Sequence, residues 1–154
     1  MLPAGSVRSR RMDNSRIFGE RGSAEDSTPE LAVHHWNRKQ IGAAAEEAAV
    51  RYLLAAGYTI VDRNWRCRSG ELDIVAEDKS GLVVVEVRSR TAETRRGTAA
   101  ESISPRKISQ VRQTAERYLF AKAWSGRAVS FDVITVKYRS GMETAELSHY
   151  KNAF

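Results

Sequence analysis

"SGELDIVAEDKSGLVVVEVRSR", residues 69–90, decides the fold. Two apolar runs, "ELDIVAE" and "LVVVEVR", flank Asp78 to Gly81, whose residues have hairpin turn chemistry, so the stretch predicts two paired strands. The second run is a string of valines meant for a core, yet Glu86 interrupts it and Arg88 follows two residues later. Side chains alternate along a strand. Glu71, Asp73 and Val75 are therefore expected on one face, and Leu82, Val84, Glu86 and Arg88 on one face of the next strand. Pairing through the short turn brings Asp73 close to Glu86. Buried carboxylates are costly when unpaired and repel each other when adjacent, so positive charge is expected between them. Two sources fit: an arginine such as Arg88 closing a salt-bridged sheet end, or a divalent cation such as Mg²⁺, which prefers oxygen ligands and keeps several waters. A cation held there would activate water and stabilise charge developing on a phosphodiester.

Outward from this hairpin the remaining elements follow. Upstream, Asn37 with Gln40 fits a capping box, and "NRKQIGAAAEEAAVRYLLAAG" reads as a helix ending at Gly57. Its predicted buried stripe is Ile41, Ala45, Ala48, Ala49, Tyr52, Leu53 and Ala56, whose small residues at the start call for close packing. "YTIVDRNW" is a strand and "RCRSG" a basic turn. Downstream, a loop holding Thr94 to Gly97 leads to Ser104 and Pro105, an N-cap and first-turn proline for a helix of about 17 residues. Ile108, Val111, Ala115, Tyr118 and Leu119 form its expected stripe. "AVSFDVITVKY", a turn at Ser140 and Gly141, and "ETAELSHY" supply two last strands. The order is helix, three strands, helix, two strands: an α/β domain. Residues 36–154 are expected to form it, and residues 1–35, rich in Ser, Gly, Arg and acids without apolar period, a disordered leader.

The chain has 154 residues, 42% hydrophobic and 29% charged, the balance of one globular domain. No run of about 18 apolar residues is present to span a membrane, the N-terminus has no signal-peptide core, and the single Cys67 can form no internal disulfide. A cytoplasmic location is the default expectation. The formal charge is +6 and the pI about 9.8, which favours an anionic partner, nucleic acid first. Residues 1–30 hold five arginines and five acids, so the excess belongs to residues 31–154. Arg88 to Arg112 is a basic stretch, readable as a solvated face or a phosphate-contacting surface. His34 and His35 have no Cys or carboxylate at ligand spacing, which argues against a metal site there.

"GAAAEEAAVRYL", "NWRCRSGELDIV" and "VVVEVRSR" together resemble the YraN-like family of small bacterial proteins, over about residues 40–150. That family is related to archaeal Holliday junction resolvases within the PD-(D/E)xK nuclease superfamily. The resemblance implies a restriction-endonuclease-like core, a mixed central sheet flanked by helices, and Mg²⁺ or Mn²⁺ as cofactor. It also implies structured or single-stranded DNA as partner and a homodimer suited to a symmetric junction. Carried over by position, Glu46 is the helix acid, although Ala45 stands where the family has glycine. Asp73 and Glu86 become metal ligands, with the Val87 carbonyl a third oxygen, and Glu71 an accessory acid or a turn residue. Arg88 stands where the superfamily pattern has lysine. A guanidinium keeps its charge, so it can clamp a phosphate but not act as a base, and a non-catalytic binding module on the same fold is the alternative.

Arg66, Arg68 and Arg90, on turns beside this site, are expected to contact a nucleic-acid backbone, and Lys107 and Gln110 in the second helix are weaker candidates. Trp65 and Trp124 read as core or rim aromatics, Asp132 as a strand-end or pairing residue. Cys67 sits between two arginines but has no His or second Cys for a thiol mechanism.

Overall fold

The computed structural model describes residues 36–91, 103–139 and 144–154. The expected leader with His34 and His35, the loop with Thr94 to Gly97, Arg95 and Arg96, and the turn at Ser140 and Gly141 lie outside the described residues.

The element order matches the expectation: α1 (Arg38–Ala55), β1 (Thr59–Cys67), β2 (Gly70–Asp78), β3 (Gly81–Thr91), α2 (Pro105–Ala121), β4 (Val129–Tyr138) and β5 (Thr144–Tyr150). Asn37 and Gln40 close a reciprocal capping box on α1, each side chain accepting from the other's backbone N–H at 2.9 Å. Ser104 caps α2, and Pro105 begins it where its missing N–H costs nothing. The strands form one sheet in the order β1-β2-β3-β4-β5. Pairing is antiparallel throughout except between β3 and β4, which run parallel because α2 crosses between them. This mixed sheet with its two helices is the architecture of a restriction-endonuclease-like core.

Central β3 explains its run of valines. Val83 and Val85 pack with Ala45, Ala49, Val50 and Leu53 of α1, whereas Leu82 and Val84 pack with Val111, Ala115 and Tyr118 of α2. Both faces are covered, so no position before Glu86 needs to be polar. The helix stripes differ from expectation in detail. On α1, Tyr52 and Ala56 are exposed and Val50 is buried in their stead. On α2, Thr114 is buried, while Ile108 and Leu119 are only half-buried. Thr114 stays dry because its hydroxyl donates to the Gln110 carbonyl at 2.8 Å. Trp65 and Trp124 lie edge-on to the Tyr118 ring, at 5.2 and 6.2 Å, as core-rim aromatics.

Strict alternation fails along β2. Leu72 and Val75 join the same cluster beneath α2, although residues three apart on a regular strand point to opposite faces. The pleat is disturbed around Asp73. Arg63 pairs with Ile74 and Trp65 with Leu72, so Asn64 stands opposite Asp73, and Asn64 has a left-handed φ of 52°.

Candidate functional site

The hairpin of β2 and β3 starts from a two-residue turn between Asp78 and Gly81, and its ladder runs as far as the pair Ile74 and Val85. One step beyond, in the same register, Asp73 comes opposite Glu86. There the Asp73 carboxylate replaces a backbone acceptor, taking the Val87 N–H at 2.8 Å. Glu86 continues the face of Leu82 and Val84 and points toward α2. Its side chain is 5% exposed, and the Lys107 ammonium lies 3.1 Å from its Oε1. Arg88 Nη1 stands farther away, at 3.8 Å from the same oxygen.

Burial raises the Glu86 carboxyl from its ordinary 4.5 to about 7, and the charge of Asp73 pushes the same way, against Lys107 and then Arg88. Asp73 also sits above the ordinary carboxylate value. Desolvation is the main cause, opposed by the Val87 N–H and by Lys107. Glu46 reaches this group from α1. Burial raises it, the hydrogen bond with Asn64 lowers it, and the charges of Asp73 and Glu71 raise it again. Its neighbour Glu47 turns elsewhere, pairing with Arg63 at 3.0 Å and Arg51 at 3.9 Å.

Glu46, Glu71, Asp73, Glu86, Val87, Arg88 and Lys107 are thus gathered from four elements at one end of the sheet. Among the described residues no group of three or more His, Cys, Asp or Glu side chains is arranged as a metal cage. The donor set is instead two carboxylates with backbone nearby. That suits Mg²⁺ or Mn²⁺, hard cations that bind through one or two carboxylates and keep waters for the other positions. The pair already attracts a cation, because an ammonium is drawn to its buried member.

The flanking residues take varied positions. Arg66 pairs with Glu71 at 2.9 Å, Arg68 is exposed, and Arg90 is half-buried on β3 beside Lys137 of β4. Gln110 stays exposed, with its Nε2 donating to the Ser69 carbonyl at 3.0 Å. It clamps α2 to the β1–β2 turn. Gly70 makes that clamp possible: its φ is 152°, and a Cβ there would meet Gln110 Nε2 at 3.0 Å and Thr114 Oγ1 at 3.1 Å. The "SG" before "ELD" is therefore a packing requirement as well as a turn. Cys67 joins the same corner, 3.0 Å from the Ser69 hydroxyl. Burial raises its thiol, but hydrogen bonds from Ser69 and Gly70 and the nearby Arg117 outweigh it, leaving the thiol below 9.0.

A profile of the uncharacterised protein family UPF0102 matches residues 45–136, which include every acid of the cluster. The chain belongs to this family. A UPF0102 protein of Pelotomaculum thermopropionicum is 47% identical over 117 residues, covering 76% of this chain and 97% of that protein. A UPF0102 protein of Myxococcus xanthus is also 47% identical, over 76% of this chain and 90% of its own. One from Persephonella marina is 41% identical, over 73% and 91%. The YraN-like resemblance and the UPF0102 match agree. Among the described residues of this UPF0102 chain no helix is long and apolar enough to cross a membrane.

Some partnerships depend on segments distant in sequence. Lys107 approaches Glu86 across a loop. Asn64 faces Glu46 through a left-handed residue, for which an Asn within "RNW" was the available hint. Away from the carboxylate cluster, Asp132, a pairing residue as expected, is matched with His149 at 2.8 Å, both side chains being 3% exposed.

Proposed function

We propose that the protein is a metal-dependent endonuclease acting on structured or single-stranded DNA, with Asp73, Glu86 and the Val87 carbonyl holding Mg²⁺ or Mn²⁺. The observation that carries this reading is the placement of half-buried Asp73 beside buried Glu86 at the end of the β2–β3 ladder, with a cation drawn against Glu86. Isolated carboxylates are rarely kept dry and adjacent without a cation to bind. The sequence resemblance to the PD-(D/E)xK superfamily supports the same assignment, and the basic excess of the chain favours a polyanion.

When bound, the divalent cation supplies Lewis acidity to a phosphoryl oxygen and to water. The chain's own residues do the rest. Asp73 is held in place by the Val87 N–H, and Glu46 by Asn64. Arg88, permanently charged and 35% exposed, faces outward enough to hold a phosphate as an electrostatic clamp. Arg66, Arg68 and Arg90 track the backbone on either side, and a homodimer would present two such sites to a symmetric junction.

A second reading is favoured by the ion pairs themselves. Lys107 and Arg88 neutralise Glu86, so the cluster could be structural in a non-catalytic nucleic-acid-binding or protein-docking module. Purified protein incubated with labelled single-stranded, duplex, flap and four-way-junction DNA in Mg²⁺, Mn²⁺ or EDTA separates the two. Metal-dependent cutting lost in both Asp73→Ala and Glu86→Ala is the expected result. Salt-sensitive binding without any cutting would retire the nuclease reading in favour of the binding module.

A further inference from the structure

Among the described residues, Lys107 brings the cation closest to Glu86, and it comes from a different element than the acids. Its ammonium is 3.1 Å from Glu86 Oε1, whereas the Arg88 guanidinium, two residues along the same strand as Glu86, stays at 3.8 Å. We infer that Lys107 is a place-holding cation: it occupies the metal position's share of Glu86 while the metal is absent, and is displaced toward the substrate phosphate when the metal binds. This rests on the metal reading proposed above.

The geometry supports such an exchange on three counts. First, a divalent cation binding Glu86 through Oε1 would sit ~2.1 Å from the oxygen that the ammonium already holds at 3.1 Å, too close for the two like charges to remain together. Second, the two flanking cations differ in mobility. Lysine carries a compact charge on a flexible four-carbon stem, and Lys107 is 32% exposed, so its ammonium has a route to solvent without movement of the backbone. Third, that backbone is firmly held. Ser104 caps the helix at the Lys107 N–H, and Gln110, one turn on, donates to the Ser69 carbonyl. The side chain is the part free to swing, and its reach from the first turn of α2 stays within the site. The chain thus has a lysine at this site after all, supplied by the helix while Arg88 stands on the strand.

The consequence has an unusual sign. Removing any positive charge beside a cation site raises metal affinity through lost repulsion, which Arg88→Met measures, but removing Lys107 also abolishes the internal competitor for Glu86, so its effect should be the larger. The test is Mn²⁺ titration of the full chain by calorimetry, comparing the native protein with Lys107→Met, Lys107→Gln, Arg88→Met and Asp73→Asn, each first checked for a cooperative thermal transition. Lys107→Gln retains a hydrogen-bond donor for Glu86 and serves if Lys107→Met fails to fold. Both Lys107 variants should bind Mn²⁺ about tenfold more tightly than native, equivalent to ~1.4 kcal/mol, with a smaller change in Arg88→Met and lost binding in Asp73→Asn. In the presence of Mn²⁺, the Lys107 variants should also bind DNA with a salt slope lower by about 1, the mark of one lost phosphate contact. Native binding that disappears in Asp73→Asn but is unchanged or weaker in the Lys107 variants would overturn the place-holder and leave the metal site standing. Tighter Mn²⁺ binding with an unchanged DNA salt slope would overturn the transfer to phosphate. Absence of Mn²⁺ binding in all five proteins would remove the metal reading, and the place-holder with it.

Discussion

Replacing Glu86 by Gln should stabilise the metal-free protein above neutral pH. In the folded chain the Glu86 carboxyl titrates at about 7 rather than its ordinary 4.5, chiefly because it is buried and secondarily because Asp73 is beside it. Below pH 4.5 both folded and unfolded chains carry the proton, and this group makes no difference to stability. Between 4.5 and 7 the unfolded chain releases a proton that the folded chain retains, so rising pH favours unfolding. Above about 7 the full cost is present. A displacement of two and a half pH units corresponds to about 3 kcal/mol at ~1.4 kcal/mol per unit. Gln is nearly isosteric and neutral, so it removes this cost. The attraction of Lys107 and Arg88 is already contained in that shift, so the gain is reduced only as far as the amide mimics the protonated acid imperfectly. A net gain of about 1–3 kcal/mol is expected at pH 8, or roughly 4 °C in melting temperature per kcal/mol at this size. The assay is urea denaturation of native and Glu86→Gln proteins in EDTA from pH 4 to 9. The difference between the two should grow from pH 4.5 to 7 and then level, and Mg²⁺ should narrow it by stabilising only the native protein. A variant no more stable than native at pH 8, or a difference independent of pH, would refute the electrostatic account of this site.

Gly70→Ala should cost about 1–3 kcal/mol, since it forces a side chain into a positive-φ position and against the Gln110 amide; urea denaturation measures it, and a loss below about 0.5 kcal/mol would contradict the clamp. Leu53→Ala, in the core under α1, should destabilise by about 2–5 kcal/mol, while its exposed neighbour Leu54→Ala should stay within about 0.5 kcal/mol. Asp132→Ala leaves the buried His149 Nε2 without its partner, at ~1–3 kcal/mol, and frees the N–H of exposed Asn152 to water, so thermal melts should fall by several degrees. Arg90→Gln should weaken DNA binding about equally for all sequences and lower the salt slope by about 1 in anisotropy titrations; an unaltered slope would take Arg90 out of the phosphate path.

Much of this molecule is legible without coordinates. The hairpin around Asp78 to Gly81, the capping box at Asn37 and Gln40, and the Ser104-Pro105 start of α2 are local chemistry, set by residues within a few positions of one another. The valine run of β3 could be recognised as a strand covered on both faces, because only a doubly buried strand tolerates apolar residues on both sides of the pleat. The proximity of Asp73 and Glu86 follows from the register of the hairpin, both residues being counted from the same short turn, even though the alternation of faces along β2 breaks down at Asp73.

Features that depend on distant segments were decided by tertiary packing. Lys107 could be seen as basic, but its approach to Glu86 depends on where α2 docks, and that docking is set by Gly70, Gln110 and Thr114 meeting across the β1–β2 turn. Gln110 reads as a surface amide and is exposed, but its bond to the Ser69 carbonyl depends on where the β1–β2 turn meets α2. Glu46 and Glu47 likewise differ through distant partners, Asn64 for the first and Arg63 for the second. Sequence by itself determined the elements, the turn and the pair of acids, because hydrogen-bonding and steric preferences act over a few residues. Tertiary structure decided which cation meets those acids, because electrostatic partnership depends on distance in space and the partner lies on the far side of a crossover connection.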